Sequence, residues 1–301
     1  MPSLSQKVIH FGFDIAGRIA PVSTGRLAFR LFSTTPSRKP GSQKARAALE
    51  KAKALMTEAT RLDLSISQGR VATWYFPAEW EEASGIALVT HGWGARTEHM
   101  LDIIAALRRQ GNAVVAVDLP GHGGSSGRTL QMALAVEAID AARRQYGQFS
   151  LMLGHSFGGA VVLNAAVGSV AGIPASPPDR IVLISSPNDL PSVFEWFADL
   201  LGLRPRSRQA LFNRVEEVTG RPLNSFIGTV QMARLAKPAL VIHARDDKEV
   251  SADNARAFAT SGNHVEVLWA DGYGHRRILR APEVVDAVTE FAAQRTQTEA
   301  A

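Results

Sequence analysis

From residue 62 onward, short apolar runs alternate with longer amphipathic segments, and this alternation limits the folds open to the chain more than any other feature. The runs predict buried strands at 62–66, 71–76, 86–90, 113–117, 150–153, 181–184, 239–243 and 265–269, the first two as a hairpin. The segments between them predict helices at 98–110, 130–146, 252–260 and 282–294. Continuously apolar strands separated by amphipathic helices are typical of a mostly parallel sheet covered on both faces.

One interval, from 184 to 239, interrupts the alternation and has no strand pattern. Residues 193–201 and 209–218 have helical patterns, and Gly202 and Gly220 stand where helices would end. Helices inserted after a strand of a parallel sheet lie beside its carboxyl edge, so we expect a helical cap of about residues 188–236. The alternative is that these helices belong to the core.

The first 60 residues have a different composition and predict a helical extension that precedes a domain of residues 61–301. Residues 1–35 are weakly helical, 36–42 form a linker rich in Pro and Ser, and 44–60 have a strong helical pattern. Residues 1–70 hold twelve basic and four acidic side chains, whereas the remainder holds 21 basic and 24 acidic. The extension therefore either packs on the domain or contacts a membrane surface through its basic excess.

Composition excludes several classes of function. The chain has no cysteine, which rules out disulfides, thiolate nucleophiles and cysteine-ligated metals. Its eight histidines follow no metal-binding spacing, so we expect no metal and no cofactor. The acidic balance after residue 70 argues against nucleic acid as a partner. Without a clear secretory signal or spanning segment, the expected location is cytoplasmic. The sequence assigns no oligomeric state.

The segment Gly154-His155-Ser156-Phe157-Gly158 follows a predicted strand and precedes a helical pattern of small residues. This layout is typical of a nucleophile elbow, where a sharp strand-to-helix turn exposes a serine hydroxyl. A Cβ at Gly154 or Gly158 would clash with the backbone of so tight a turn. The sequence therefore predicts Ser156 as a nucleophile.

A serine nucleophile needs a general base and a carboxylate that orients the base. Asp247, with Asp246 as its rival, follows the strand at 239–243, and His275 follows the last strand. Phe157 directly follows the nucleophile, and Trp93 lies just after the predicted strand at 86–90. Their backbone N–H groups are therefore the candidates for stabilising an oxyanion.

These motifs, together with the loop 118–126, resemble the α/β-hydrolase superfamily over residues 62–295, with a serine esterase- or lipase-like pattern. The resemblance implies an α/β fold of the α/β-hydrolase type: a mostly parallel central sheet flanked by helices, with a small helical cap insertion and an N-terminal helical extension. It implies the triad Ser156, Asp247 and His275, and it favours Asp247 over Asp246 because of the spacing to His243 and Val250.

The expected function is hydrolysis of a small-molecule carboxylic ester through an acyl-enzyme intermediate. Acyl transfer and aminopeptidase activity on the same triad are alternatives, as is a non-catalytic small-molecule-binding protein. The candidate lining of the substrate pocket is His91, His155, Phe194, Trp196 and Phe197. His91 and His155 have a second interpretation, in which they bond to nearby backbone and shape the site.

Overall fold

The computed structural model describes residues 4–80 and 83–294, and in this part of the chain eight strands form one sheet. The strands are β1 (Thr60–Ile66), β2 (Gly69–Phe76), β3 (Gly85–Thr90), β4 (Asn112–Val117), β5 (Leu151–His155), β6 (Arg180–Ile184), β7 (Ala239–His243) and β8 (Val265–Trp269). Their order is β1-β2-β4-β3-β5-β6-β7-β8. β1 and β2 are antiparallel to their neighbours, and the strands from β4 to β8 are parallel. The predicted fold class is confirmed.

Helices cover both faces of the sheet. The α-helices of the described residues are α1 (Leu4–Ile19), α2 (Pro21–Ser33), α3 (Gln43–Met56), α4 (Leu101–Arg109), α5 (Met132–Tyr146), α6 (Phe157–Val167), α7 (Leu190–Leu201), α8 (Pro205–Thr219), α9 (Gly228–Leu235), α10 (Asp253–Ala259), α11 (Gly274–Arg277) and α12 (Pro282–Ala293). One apolar layer packs α5 and α6 on the sheet, and a second layer packs α4 and α12 on the opposite face. Burial of both faces accounts for the unbroken apolar strands.

The order in which successive strands are added to the sheet reverses at β3. β3 pairs with β4 on one side and with β5 on the other, so the carboxyl ends of β3 and β5 are neighbours at the point where the strand order turns. Crevices at such switch points are the usual ligand sites of open α/β sheets. The loop after β3 and the turn after β5 therefore meet where a site is expected.

The helix predicted at 98–110 begins later than its pattern suggested. Residues Thr97–His99 form a 3-10 turn, and α4 starts only at Leu101. The backbone N–H and the hydroxyl of Thr97 both donate to Asp118 Oδ1, at 2.9 Å each. These long-range bonds hold the first turn against the β4 loop, which local periodicity could not reveal.

Helices α7, α8 and α9 lie between β6 and β7, the interval that interrupts the strand pattern. Gly202 and Gly220 end α7 and α8 in the left-handed conformation, with φ of 64° and 63°. Both predicted helix ends are thus confirmed, since glycine adopts positive φ without the penalty that a Cβ brings.

The N-terminal helices pack on this insertion. Gly25 of α2 lies so close to α8 that a Cβ added there would come within 2.5 Å of the Ser207 carbonyl oxygen. The end of α2 is bonded to the loop before α5, where Leu130 N donates to Ser33 O at 2.9 Å and Thr34 bridges to Thr129. The extension thus covers the cap and contacts the sheet domain. The boundary between the extension and the domain, at residues 60 and 61, stays a prediction.

Helix α1 leaves several large apolar side chains exposed, among them Phe11, Ile15 and Ile19. Among the described residues, no helix is long and apolar enough to cross a membrane.

Candidate active site

Ser156 stands at the turn between β5 and α6 with φ 54° and ψ −127°, a conformation that non-glycine residues rarely adopt. A Cβ at Gly154 would come within 2.3 Å of the Gly158 carbonyl oxygen, and one at Gly158 within 2.4 Å of the His91 carbonyl oxygen. The glycines therefore permit the close approach that the elbow requires. Strain of roughly 1–3 kcal/mol is typical of such a residue and is tolerated where the surrounding structure enforces it.

His275 and Asp247, from the loops after β8 and β7, form a hydrogen bond of 2.7 Å between Nδ1 and Oδ2. The other oxygen of Asp247 accepts backbone N–H bonds from Glu249 at 2.8 Å and Val250 at 2.9 Å. Burial opposes ionisation of Asp247, but the bonds from His275 and the two amides outweigh it and lower its pKa to about 2. The carboxylate is thus ionised near neutral pH, and it aligns the imidazole with Nε2 directed away from Asp247.

Asp246, the rival acid, takes a different position. Its Oδ1 accepts a hydrogen bond of 2.8 Å from the backbone N–H of Gly272, which secures the loop that carries His275. Arg276 forms two hydrogen bonds with Glu249, and Arg277 donates to the carbonyl oxygens of Gly272 and Tyr273. The residues around His275 therefore hold this loop in place.

The histidine that precedes the nucleophile contacts the same loop. His155 Nε2 donates to the carbonyl oxygen of His275 at 2.8 Å, and the two rings lie 4.8 Å apart. Burial, helped by the neighbouring His275, lowers the pKa of His155 from 6.5 to about 3. The carbonyl contact requires a proton on Nε2, and the lowered pKa keeps the imidazole neutral near pH 7.

Two further histidines hold the loop that contains Trp93. His91 Nδ1 donates to the Gly92 carbonyl oxygen at 2.7 Å, and its Nε2 accepts from Leu119 N at 3.0 Å. His122 Nε2 accepts from Gly94 N at 2.9 Å. Nε2 of each ring must carry no proton in order to accept these bonds. Burial favours this neutral form because it lowers the pKa of both histidines.

Gly92 brings the Trp93 loop against the nucleophile. A Cβ added to Gly92 would come within 2.8 Å of Ser156 Cβ. The Trp93 ring lies edge-on to Phe157, with 6.0 Å between the centroids. Phe157 is the first residue of α6, so its backbone N–H has no carbonyl one turn earlier in the helix to bond. The two amides suggested for oxyanion stabilisation therefore belong to adjoining segments.

Asp118, directly after β4, is a fully buried carboxylate, which the sequence suggested only as part of the loop 118–126. It accepts hydrogen bonds from Thr97, from Trp74 Nε1 at 3.0 Å and from Gly124 N at 2.9 Å. Its carboxylate joins the segment after β3, through Thr97, to the loop after β4, through Gly124. The signal in the sequence was an acidic residue directly after a fully apolar strand.

A cleft of about 930 Å³ opens beside Ser156. Its wall includes Phe194, Trp196 and Phe197 of α7, which the sequence suggested as pocket residues, and Trp93 and Phe157. His91 and His155 are absent from the lining found among the described residues. They are 1% and 4% exposed and bond to backbone, as the second interpretation had it.

Helix α2 supplies a wall of this cleft that the sequence did not reveal. Phe29, Leu31 and Phe32 line it, and the Phe32 ring lies 4.5 Å from Phe194 and 5.1 Å from Phe197. The available signal was the small side chains of Gly25 and Ala28, which allow close helix packing, next to two phenylalanines. The N-terminal extension thus forms part of the candidate substrate pocket.

Comparison with known proteins agrees with this fold. A model described as the alpha/beta hydrolase family matches residues 87–288. A pimeloyl-[acyl-carrier protein] methyl ester esterase of Xanthomonas campestris is 30% identical over 247 residues, covering 69% of this chain and 96% of that protein.

Two esterase structures resemble the chain in fold. An esterase domain from Rhodothermus marinus is 24% identical with a TM-score of 0.55, covering 77% of this chain and 95% of its own. Est1E from Butyrivibrio proteoclasticus is 18% identical with a TM-score of 0.60, covering 77% and 96%.

Proposed function

The chain belongs to the alpha/beta hydrolase family, and we propose that it is a carboxylic ester hydrolase whose nucleophile is Ser156. The observation that carries this proposal is the 2.7 Å bond between Asp247 and His275, on loops that reach the edge of the sheet where Ser156 stands. An ionised carboxylate, an oriented imidazole and a serine that lines the cleft are the parts that acyl transfer to a hydroxyl needs. A relative that is named a methyl ester esterase supports the choice of ester as substrate.

In the proposed reaction, Ser156 Oγ attacks the ester carbonyl carbon while His275 Nε2 takes the hydroxyl proton. The backbone N–H groups of Phe157 and Trp93 stabilise the resulting oxyanion. When the C–O bond to the alcohol breaks, His275 returns the proton to the leaving oxygen. Water then attacks the acyl-enzyme with the same assistance, so the products are a carboxylic acid and an alcohol.

Asp247 holds the imidazole so that its Nδ1–H faces the carboxylate, which leaves Nε2 free to act as base. The low pKa of Asp247, about 2, means that this carboxylate carries its charge throughout the neutral range. It therefore stabilises the imidazolium that forms during each proton transfer.

The lining of the cleft favours an ester over a peptide with a free amine. Three acidic side chains reach the lining, namely Asp189, Glu249 and Asp253. Each is engaged within the protein: Asp189 accepts from Ser192, Glu249 pairs with Arg276, and Asp253 pairs with Arg256. In the cap, Glu195 and Glu217 likewise pair with Arg208 and Arg214. An aminopeptidase would need carboxylates available to an ammonium group, so we place this activity below ester hydrolysis.

A series of p-nitrophenyl esters with acyl chains of two to twelve carbons tests the proposal. We expect release of nitrophenol, with kcat/KM rising with chain length because the cleft of about 930 Å³ is lined mainly by apolar side chains. Complete burial of one methylene contributes about 0.8 kcal/mol, so each added carbon can raise kcat/KM by up to about fourfold until the cleft is filled. Lack of turnover for every chain length would contradict the proposal and favour a non-catalytic binding protein.

A further inference from the structure

A second cavity, of about 470 Å³, lies where α2 and α8 meet the sheet domain. Arg26 and Arg30 of α2 and Arg214 of α8 line it from the cap side. Gln68, Thr129 and Gln131 line it from the domain side. Its wall is therefore basic and rich in hydrogen-bond donors, in contrast to the apolar cleft beside Ser156.

The positive charge of this cavity exceeds the negative charge near it. Glu217 pairs with Arg214 at 2.7 Å and with Arg26 at 3.9 Å, and it does not line the cavity. Across residues 4–80 and 83–294, no carboxylate forms an ion pair with Arg30. The Arg214 guanidinium also lies 5.9 Å from the centre of the Phe29 ring, which helps to hold it in place. One carboxylate thus pairs with two of the three guanidinium groups, and the cavity keeps a net positive charge.

The basic cavity adjoins the apolar cleft. Phe29, Ser33 and Gln131 line both. Ser33 is 1% exposed, and within the described part of the chain its hydroxyl has no hydrogen-bond partner. A buried hydroxyl without a partner is costly unless something at the site bonds to it. An acyl chain that extends along the cleft from Ser156 would approach Ser33 and then the arginines.

We infer that the substrate is an ester whose far end carries an anionic oxygen group, a carboxylate or a phosphate, which binds between Arg26, Arg30 and Arg214. This inference rests on the proposed function, whose scissile carbonyl it places at Ser156. Guanidinium groups suit such anions because their planar N–H donors match two oxygens at once. The Ser33 hydroxyl and the Gln131 amide supply further hydrogen bonds at the junction.

The arginines after the catalytic base do not offer a comparable site. Arg276 is paired with Glu249, and Arg277 is bonded to carbonyl oxygens of its own loop. Arg30, in contrast, lines the second cavity and has no carboxylate partner within residues 4–80 and 83–294. The anion is therefore assigned to the cap side of the cleft.

Binding to the Ser156→Ala protein tests the inference without hydrolysis. The probes are monomethyl sebacate, decyl phosphate and the neutral methyl decanoate, measured by calorimetry. We expect the anionic probes to bind about tenfold more tightly than methyl decanoate, since one charge-assisted hydrogen bond contributes about 1.5 kcal/mol or more. If decyl phosphate binds more tightly than monomethyl sebacate, the anionic group of the substrate is a phosphate. If monomethyl sebacate binds more tightly, the group is a carboxylate.

Arg30→Gln should remove most of the preference for the anionic probes. Arg234→Gln is the matched control, because Arg234 is an exposed arginine of α9 that lines neither cavity. Equal affinities for neutral and anionic probes, or an equal effect of Arg30→Gln on both, would overturn the inference.

Hydrolysis by the unmodified protein separates this inference from the proposed function. We expect monomethyl sebacate to be cleaved with a higher kcat/KM than methyl decanoate, and Arg30→Gln to reduce that ratio by about tenfold. Preferential binding without cleavage of either ester would leave the anion site standing and would contradict the hydrolase proposal. Cleavage of both esters at equal kcat/KM would contradict the anion site alone.

Discussion

His155 Nε2 donates a hydrogen bond of 2.8 Å to the backbone carbonyl oxygen of His275, so the residue before the nucleophile holds the loop that carries the base. The contact spans 120 positions of sequence. It joins the ends of β5 and β8, which have β6 and β7 between them in the sheet. Alignment of the base with the nucleophile therefore depends on a side chain that takes no proton itself.

Replacement of His155 tests this positioning role. We expect His155→Leu to lower kcat by about 10²-fold with little change in KM, since a small misplacement of the base has an effect of this size. His155→Gln retains an N–H donor and should keep more of the activity than His155→Leu. Equal activity of the two variants would show that the hydrogen bond is unimportant.

Acid should destabilise the protein through the same residue. Because the pKa of His155 is about 3 in the folded state against an ordinary value of 6.5, the unfolded chain binds a proton that the folded chain does not between these pH values. The free energy of unfolding therefore decreases as the pH falls from 6.5 towards 3, by at most about 1.4 kcal/mol per pH unit for this group.

Urea denaturation of the wild-type protein and His155→Gln between pH 6.5 and 4.5 measures this contribution. We expect a shallower pH dependence of the unfolding free energy in the variant, which has no titrating group at this position. Identical slopes would show that His155 is as readily protonated in the folded protein as in the unfolded chain.

The proposed triad predicts a large loss of activity on substitution of each member, and the neighbouring Asp246 provides a control for Asp247. We expect Ser156→Ala, His275→Ala and Asp247→Asn each to lower kcat on a p-nitrophenyl ester by about 10⁴-fold or more, without loss of the fold by circular dichroism. Asp246→Asn should have a small effect, because its amide oxygen can still accept the N–H of Gly272. A larger loss in Asp246→Asn than in Asp247→Asn would reverse the assignment of the acid.

Gly92→Ala tests the position of the Trp93 loop. The new Cβ would come within 2.8 Å of Ser156 Cβ and 3.2 Å of His155 Nδ1, so the loop must move away from the nucleophile. Loss of one oxyanion donor lowers kcat by about 10²–10³-fold, and we expect a decrease of this order. Gly41→Ala, at a position with no neighbour within 4 Å, should retain wild-type kcat.

The contact between α2 and α8 predicts that the N-terminal extension affects substrate binding. A Cβ at Gly25 would meet Ser207 O, Ala210 Cβ and Leu211 N within 2.7 Å, so Gly25→Ala should push α2 off α8. Because Phe29 and Phe32 line the cleft, we expect a higher KM for long acyl chains and a lower melting temperature.

The control for this variant is Gly12→Ala in α1, where nothing lies within 4 Å of an added Cβ. This change should leave KM unaltered and raise stability slightly, because alanine is favoured over glycine in helices by roughly 1 kcal/mol. Similar effects of the two variants on KM would contradict the assignment of α2 to the cleft wall.

The sheet and the elbow could be predicted because their signals are local. An apolar run such as 86–90 has few alternatives to a buried strand, and the glycines at 154 and 158 are required by the turn itself. The choice of Asp247 over Asp246 came from the resemblance to the α/β-hydrolase superfamily, whose acid has this spacing to His243 and Val250. Here short-range constraints and the final structure agree.

The role of α2 could not be predicted because it depends on packing between segments far apart in the chain. Amphipathic periodicity indicated helices within residues 1–35 but not their partner, and α8 lies more than 170 positions away. The sequence suggested backbone contacts for His91 and His155 but not their partners, Leu119 and His275, which lie 28 and 120 positions away in the chain. The division at residue 60 and the cytoplasmic location stay predictions.

Covalent labelling with a fluorophosphonate, followed by peptide mapping, tests the central claim that Ser156 is an activated nucleophile. We expect one adduct per chain on the peptide that contains Ser156, loss of esterase activity in step with labelling, and much slower labelling of His275→Ala. Ser156→Ala should acquire no adduct. An adduct on a different serine, or esterase activity that survives in Ser156→Ala, would contradict the account.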